Sequence, residues 1–338
     1  MVMTPAVTGF SKGGSMFPAL RYWLVAVQAV FVVSLALISS HPIPFEFSRP
    51  MGAAMMIWSV GFLYLLVRVF IAALREESPF HAFFEKVRAE NATVIKAFTY
   101  AVLLGLAIAL HGWAKSMIPH VGGYWADPFL ADLDHMIFGQ DPWHLFRSDL
   151  LRPLYAEAYV SWFLITFGTM GVLAFSKRDH SALLTAYLAT LIIGGTIGQY
   201  LLPSVGPIFY ERIGLGPRFA ELVATNDPTY GLFADYLWHH YRLGGANLGT
   251  GISAMPSMHV TLAVWTVFAA HAVWRPLAVP AAIYAVVIWA ASIASGWHYA
   301  LDGLVGAVLS TAIYALLVRT QARSKLDPEI EPALPQPA

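Results

Sequence analysis

Residues 276–319 read PLAVPAAIYAVVIWAASIASGWHYALDGLVGAVLSTAIYALLVR, and within them only Asp302 and Arg319 carry a full charge. A run of about 20 apolar residues is long enough to cross a hydrocarbon core of about 30 Å as a helix. The stretch therefore predicts two antiparallel spans, 276–295 and 298–319, hinged at Gly296-Trp297. The runs are too long and too evenly apolar for the alternating ten-residue strands, roughly, of an outer-membrane barrel. Six more runs of the same kind lie upstream, near 19–40, 51–74, 92–112, 153–175, 181–202 and 256–274. The fold class this predicts is all-α, a polytopic membrane helical bundle of about eight transmembrane helices. The first run follows Lys12 and Arg21 as in a signal peptide, but it is long and ends in Ser-Ser-His-Pro without a small-x-small cleavage site, so it reads as a retained span.

Composition agrees. Of 338 residues, 58% are hydrophobic and 12% charged, against roughly a quarter charged in a soluble domain. That excludes a disordered chain. Twenty Lys and Arg offset 20 Asp and Glu, for a net charge of +0, so the attraction that draws basic proteins to nucleic acid is missing and no nucleic-acid partner is expected. The absence of cysteine excludes a disulfide scaffold, a thiolate nucleophile and cysteine-ligated metal centres.

Lys and Arg in the flanks set the expected sidedness. With the amino terminus inside, that side holds twelve cations: Lys12, Arg21, Arg75, Lys86, Arg88, Lys96, Lys177, Arg178, Arg275, Arg319, Arg323 and Lys325. The other side holds seven: Arg49, Lys115, Arg147, Arg152, Arg212, Arg218 and Arg242. Both termini are thus expected in the cytoplasm, with the long segments 113–152 and 203–255 outside, where ordered loops usually carry function. Asp127, Asp141 and Asp149 read as helix caps and turn formers, and His239 and His240, beside Trp238 and Tyr241, as an interfacial aromatic belt. The Pro-rich, charged tail after 320 is expected to be disordered.

Two short segments carry the chemistry: Ser253-Ala254-Met255-Pro256-Ser257-Met258-His259, opening the sixth span, and Gly296-Trp297-His298-Tyr299-Ala300-Leu301-Asp302, opening the eighth. One return helix separates these spans, so both start at the same membrane face and place His259 and His298 at one depth. His298 and Asp302 are four apart, on one helical face, where the carboxylate accepts a proton from one imidazole nitrogen and leaves the other as a lone pair. Such a histidine serves as a nucleophile or as a metal ligand. A carboxylate within the apolar run Leu-Asp-Gly-Leu-Val-Gly-Ala-Val is functional by default. Pro256 fits the first turn of a helix whose free N–H groups attract anions, Ser257 adds a hydroxyl, and His259 lies within reach to move a proton.

The pair Pro-Ser-x-His and His-Tyr-x-x-Asp, on helices two apart, resembles the type 2 phosphatidic acid phosphatase (PAP2) superfamily. The segments Gly-Ile-Ser-Ala-Met-Pro-Ser-Met-His and Leu-Pro-Ser-Val-Gly-Pro (202–207) are similar to its inositolphosphorylceramide-synthase-like branch. The resemblance implies a six-helix catalytic core at 92–319, an N-terminal extension of two spans at 1–91 and a cytoplasmic tail at 320–338. It implies that His298 attacks phosphorus to give a phosphohistidine, that Asp302 orients and charge-stabilises it, that His259 protonates the leaving oxygen, and that no metal or other cofactor takes part. The implied partners are a membrane lipid substrate and an alcohol acceptor such as inositol. The expected place is a bacterial inner membrane, and the flanking charges put the site on the periplasmic side. This chain departs from the family pattern: it lacks the Lys-x6-Arg-Pro signature, Ser292 stands where an arginine precedes the nucleophile by six residues, and Met258 replaces a glycine. The cation for phosphate is then expected from the outer loop, with Arg212 first, followed by Arg242 and Arg218. Two other classes compete: a membrane cytochrome with His259 and His298 on haem, and a proton-coupled transporter.

Overall fold

The structure, a computed structural model, describes residues 16–41, 43–45, 48–244 and 250–326. In chain order the helices are α1 (Phe17–Ile38), α2 (Ser48–Ala73), α3 (Pro79–Ala89), α4 (Asn91–Val121), α5 (Asp127–Phe138), α6 (Trp143–Phe146), α7 (Arg152–Ala174), α8 (Ser181–Thr190), α9 (Ala220–Ala224), α10 (Pro228–Leu243), α11 (Met258–Val273), α12 (Ala278–Ala294) and α13 (Ala300–Leu326). No strand occurs among the described residues. Seven helical stretches there are long and apolar enough to cross a membrane: Phe17–Ile38, Ala54–Ala73, Asn91–Val121, Arg152–Ala174, Ser181–Tyr200, Arg275–Ala294 and Ala300–Gln321. The eighth expected span is α11, a shorter apolar helix of 16 residues. The protein is a polytopic helical bundle.

In hydrocarbon every backbone polar group has to find its partner within the protein, and the helix does this within one segment. The side chains then divide by neighbour. α11 is the hub, packed by α12, α13, α7 and α8, and its Trp265 is buried at the centre with Nε1 donating to the Leu183 carbonyl. The outer helices instead show large apolar side chains outward, including Leu63, Ile283, Val308 and Leu316. A bilayer accepts that surface without the cost it would carry in water.

The first two helices are fastened to the rest. α1 packs on α4 and α8, and α2 on α4 and α7. Gln28 of α1 donates from Nε2 to the Ala107 carbonyl and the Thr196 hydroxyl, and buried Arg21 donates to the Thr185 hydroxyl and the Ser181 carbonyl. These buried donors are matched, as low-dielectric surroundings require.

Two expectations need correction. The outer segments are not plain loops: α5, α6, α9 and α10 form a helical cap over the end of the bundle where α4 and α8 finish and α7, α11 and α13 begin. Helix α13 also runs on to Leu326, so residues 320–326 of the expected disordered tail are helical, because the chain continues the preceding span without a breaker. The rest of that tail, and Lys12, lie outside the described residues.

α8 does not continue as an α-helix. It widens into a π-helical stretch at Leu191–Ile197 and tightens into a 3-10 turn at Gly198–Tyr200. Such π segments are frequent at functional sites. Here Gly194, Gly195 and Gly198 bring it against Pro256 and Met258, the residues that bracket Ser257 and lead into His259.

Candidate active site

α11 begins later than its sequence suggests. Pro256 follows a cis peptide and precedes the helix, Ser257 is the N-cap with its hydroxyl oxygen facing the Val260 N–H, and His259 is the second helical residue. The reason is that Ser257 supplies the cap, the role its side chain favours at a helix start, and the Ser257 N–H is already committed to the Asp302 carbonyl. Ser257 is fully buried. Its carbonyl accepts from both the N–H and the hydroxyl of Thr261.

His298 also lies before its helix, since α13 starts at Ala300. The geometry that holds it differs from the predicted one. Nδ1 stands 2.8 Å from the Ala254 carbonyl oxygen and 3.5 Å from Oδ2 of Asp302. A carbonyl only accepts, so Nδ1 carries the proton and Nε2 is left with the lone pair. Ala254, not Asp302, fixes the tautomer. Asp302 adds its charge from close by while its Oδ2 accepts from the Tyr299 N–H at 2.8 Å. This is the backward reach of an acidic side chain at the third helical position. Its other oxygen, Oδ1, is buried with no partner.

The two imidazoles face one region, with ring centroids 6.3 Å apart. His259 is boxed by α7: it stacks on Tyr159 at 4.3 Å and meets Trp162 at 4.5 Å. Trp162 Nε1 in turn donates to the His259 carbonyl. The aromatic faces locate the ring.

Two aspartates that the sequence reading assigned as local caps or left aside turn out to frame these residues. Asp127 accepts from the Val205 N–H at 2.8 Å, the Gly206 N–H at 2.9 Å and the Tyr299 hydroxyl at 2.9 Å. It therefore ties the 203–207 segment to the residue after His298 rather than capping its own helix. Asp134 caps α13 from a distance, accepting from the N–H groups of Ala300 and Leu301. Burial pushes both carboxyls up to about 6, with these hydrogen bonds pulling the other way. Gly206 has φ of +86° and sits against the Trp297 carbonyl, a conformation and closeness that only glycine allows. Ser204 completes the frame: its carbonyl accepts from the Ala254 N–H and its hydroxyl from the Met255 N–H.

None of the three arginines expected at phosphate contacts His259, His298 or Asp302. Arg218 pairs with Asp132 at 2.6 Å and Asp141 at 2.7 Å and donates to the Ala131 carbonyl. Those carboxylates raise its already high pKa, while Arg218 and, after it, His135 hold Asp141 below its ordinary value. Arg212 pairs with Asp235 at 2.7 Å and lies over Phe209 and Trp238. Arg242 is exposed on α10. The acidic residues of the cap claimed Arg212 and Arg218 first, which residue types in a loop do not disclose. Ser292, in place of the family arginine, accepts the His298 N–H on its carbonyl. A further cation went unremarked as a site residue: Lys115, half-buried near the end of α4, within electrostatic reach of His259.

Among the described residues no three His, Asp or Glu side chains are grouped to hold a metal ion. A level pair of histidines backed by a carboxylate, at the mouth of a helical bundle, has the groups that phosphoester chemistry needs: a nucleophile, a proton carrier and a countercharge. The family model of the PAP2 superfamily matches residues 133–316, more than half of the chain, and the protein belongs to that superfamily. Membership supports an enzyme of the phosphatase or phosphotransferase type. Comparison with curated proteins and with solved structures gave no match.

Proposed function

We propose that the protein is an integral-membrane lipid phosphatase or phosphotransferase that works through a phosphohistidine on His298, at the face away from the cytoplasm. The observation that carries this reading is the Nδ1 proton of His298, held on the Ala254 carbonyl, which leaves Nε2 as a fixed lone pair beside a second imidazole.

In the first step Nε2 attacks phosphorus, the bond to the lipid oxygen breaks, and protonated His259 gives that oxygen its proton. The His298 ring becomes cationic as it is phosphorylated, and Asp302 stabilises the charge at 3.5 Å. In the second step His259, now neutral, removes a proton from water or an alcohol, whose oxygen attacks phosphorus as the P–N bond breaks. Water gives a phosphatase and an alcohol gives a transferase.

A headgroup-transfer reaction on a phosphodiester, as in the inositolphosphorylceramide-synthase-like branch, is the second reading. It is favoured by the pairing of Arg212 and Arg218 with aspartates, which leaves the site short of the charge that a phosphomonoester dianion calls for. The test is incubation of the detergent-solubilised protein with labelled lipid phosphomonoesters and phosphodiesters, with and without inositol, and identification of the product headgroup. His298→Ala and His259→Ala should abolish turnover in protein that still folds, and EDTA should leave it unchanged. Full activity in either variant would remove the assigned role.

A further inference from the structure

Charge on the cap is almost entirely spent. Among the described residues Arg147 pairs with Glu221, Arg152 with Asp149, Arg212 with Asp235, and Arg218 with Asp132 and Asp141. Arg242 is exposed on α10. Lys115 differs from all of these. It is half-buried, and its ammonium makes no ion pair or hydrogen bond with any described residue. An ammonium withdrawn from bulk water is costly unless an anion faces it.

Its place is fixed by close packing. At Gly251, with φ of +84°, a Cβ would fall within 2.8 Å of the Lys115 Cβ and 2.9 Å of its carbonyl carbon. Gly251 therefore lies directly on Lys115, and three residues further along the chain Ala254 is the one that holds His298. One helical turn before Lys115, on the same face, is His111. The His111 ring meets Gly195 beside the Met258 sulfur, and Met258 adjoins His259 in the chain. Lys115 lies within electrostatic reach of both His111 and His259. Two packings thus set this face of α4, one against Gly251 and the other, through Gly195, beside Met258 at the start of α11.

We infer that the Lys115 ammonium is the phosphate-binding cation of the active site, contacting the oxyanions that stay on phosphorus while His298 attacks. The inference rests on the phosphoryl-transfer reading above and supplies what that reading lacks, a positive charge at the substrate. The ligand class is the phosphate oxyanion of a lipid phosphoester. A lysine serves as a point charge there and needs no planar, two-pronged geometry.

The test uses the full chain in detergent, with orthovanadate as the phosphate mimic. In the wild type, vanadate should protect Lys115 from an amine-acylating reagent, read by peptide mass spectrometry. Lys115→Met, which keeps the apolar stem, should lower kcat/KM at least tenfold, and Lys115→Arg should recover part of the loss. Both variants should unfold thermally within a few degrees of the wild type. Labelling of Lys115 that vanadate leaves unchanged overturns the assignment, as does a Lys115→Met enzyme within twofold of wild type. In either case wild-type turnover and vanadate inhibition would leave the His298 reading standing. Wild-type protein that neither turns over any lipid phosphate nor binds vanadate removes the phosphoryl-transfer reading itself, and this inference with it. Protection is measured on the unmutated chain, so a poorly folded variant does not block the decision.

Discussion

Replacing Asp302 by Asn separates two jobs that a carboxylate beside a histidine can perform. One is to fix the ring's tautomer; the other is to stabilise the positive charge that forms on it. In this site the first belongs to the Ala254 carbonyl, 2.8 Å from Nδ1, so the amide variant keeps Nε2 as the nucleophile. An Asn oxygen can still accept from the Tyr299 N–H, as Oδ2 does, and the start of α13 is retained. What goes is the charge at 3.5 Å. A unit pair about 4 Å apart at an effective dielectric of about 20 is worth about 4 kcal/mol, or about a thousandfold in rate. Where an aspartate also sets the tautomer, as in the serine-protease triad, the same change costs about 10⁴. The expected loss here is therefore smaller than that and well short of the loss in His298→Ala. The assay is the single-turnover rate of phosphoenzyme formation with a labelled lipid phosphate, compared across wild type, Asp302→Asn and His298→Ala. A loss under tenfold would refute the electrostatic role. A loss as complete as that of His298→Ala would refute the assignment of the tautomer to Ala254.

Three further outcomes follow from the cap. The Asp127 and Asp134 carboxyls are raised by burial to about 6 from an ordinary value near 4, so between those limits the folded chain binds more protons than the unfolded one. Stability should fall as pH rises from about 4 to about 6 and level off above, each group costing on the order of 3 kcal/mol at neutral pH. Unfolding midpoints of wild type and Asp134→Asn measured across that range should diverge, and parallel curves would contradict the burial argument. Arg218→Ala should cost about 2 kcal/mol by stranding the mostly buried Asp141 carboxylate while kcat of the folded fraction stays within twofold; a collapse of kcat without loss of stability would return Arg218 to the substrate. Gly206→Ala should destabilise by roughly 2–4 kcal/mol, because its backbone is left-handed and the new methyl meets the Trp297 carbonyl. A variant as stable as wild type in chemical denaturation would contradict the close packing of Gly206 on the Trp297 carbonyl.

The legible part of the site was its motif. Pro-Ser-x-His and His-x-x-x-Asp on helices of one direction are enough to bring His259, His298 and Asp302 to one level, because two parallel spans share a starting face. The detail was not legible. Spacing of four put His298 and Asp302 on a helical face, but α13 begins at Ala300, since the Asp134 carboxylate, 166 residues away, captures the first N–H groups. Asp127 looked like a local cap because local hydrogen bonding is what a short polar side chain does by default, and nothing in the chain around Asp134 marked it. Their actual partners lie at Val205, Gly206 and Tyr299–Leu301. Lys115 passed as one flank cation among several for a similar reason: its distinction is having no ion pair among the described residues, a property of its neighbours in space and not of its own surroundings in the chain.

The sequence by itself determined that this is a helical membrane bundle, because a hydrocarbon solvent leaves a long apolar segment little choice but to close its hydrogen bonds along its own axis. It also determined which two imidazoles share a face. Only the tertiary structure decided which oxygen holds the His298 proton, which cations are already neutralised and which one is left over. Those outcomes depend on contacts remote in the chain, such as the 44 positions between His298 and Ala254 and the 77 between Arg218 and Asp141, where competition among several acceptors and donors is settled by packing.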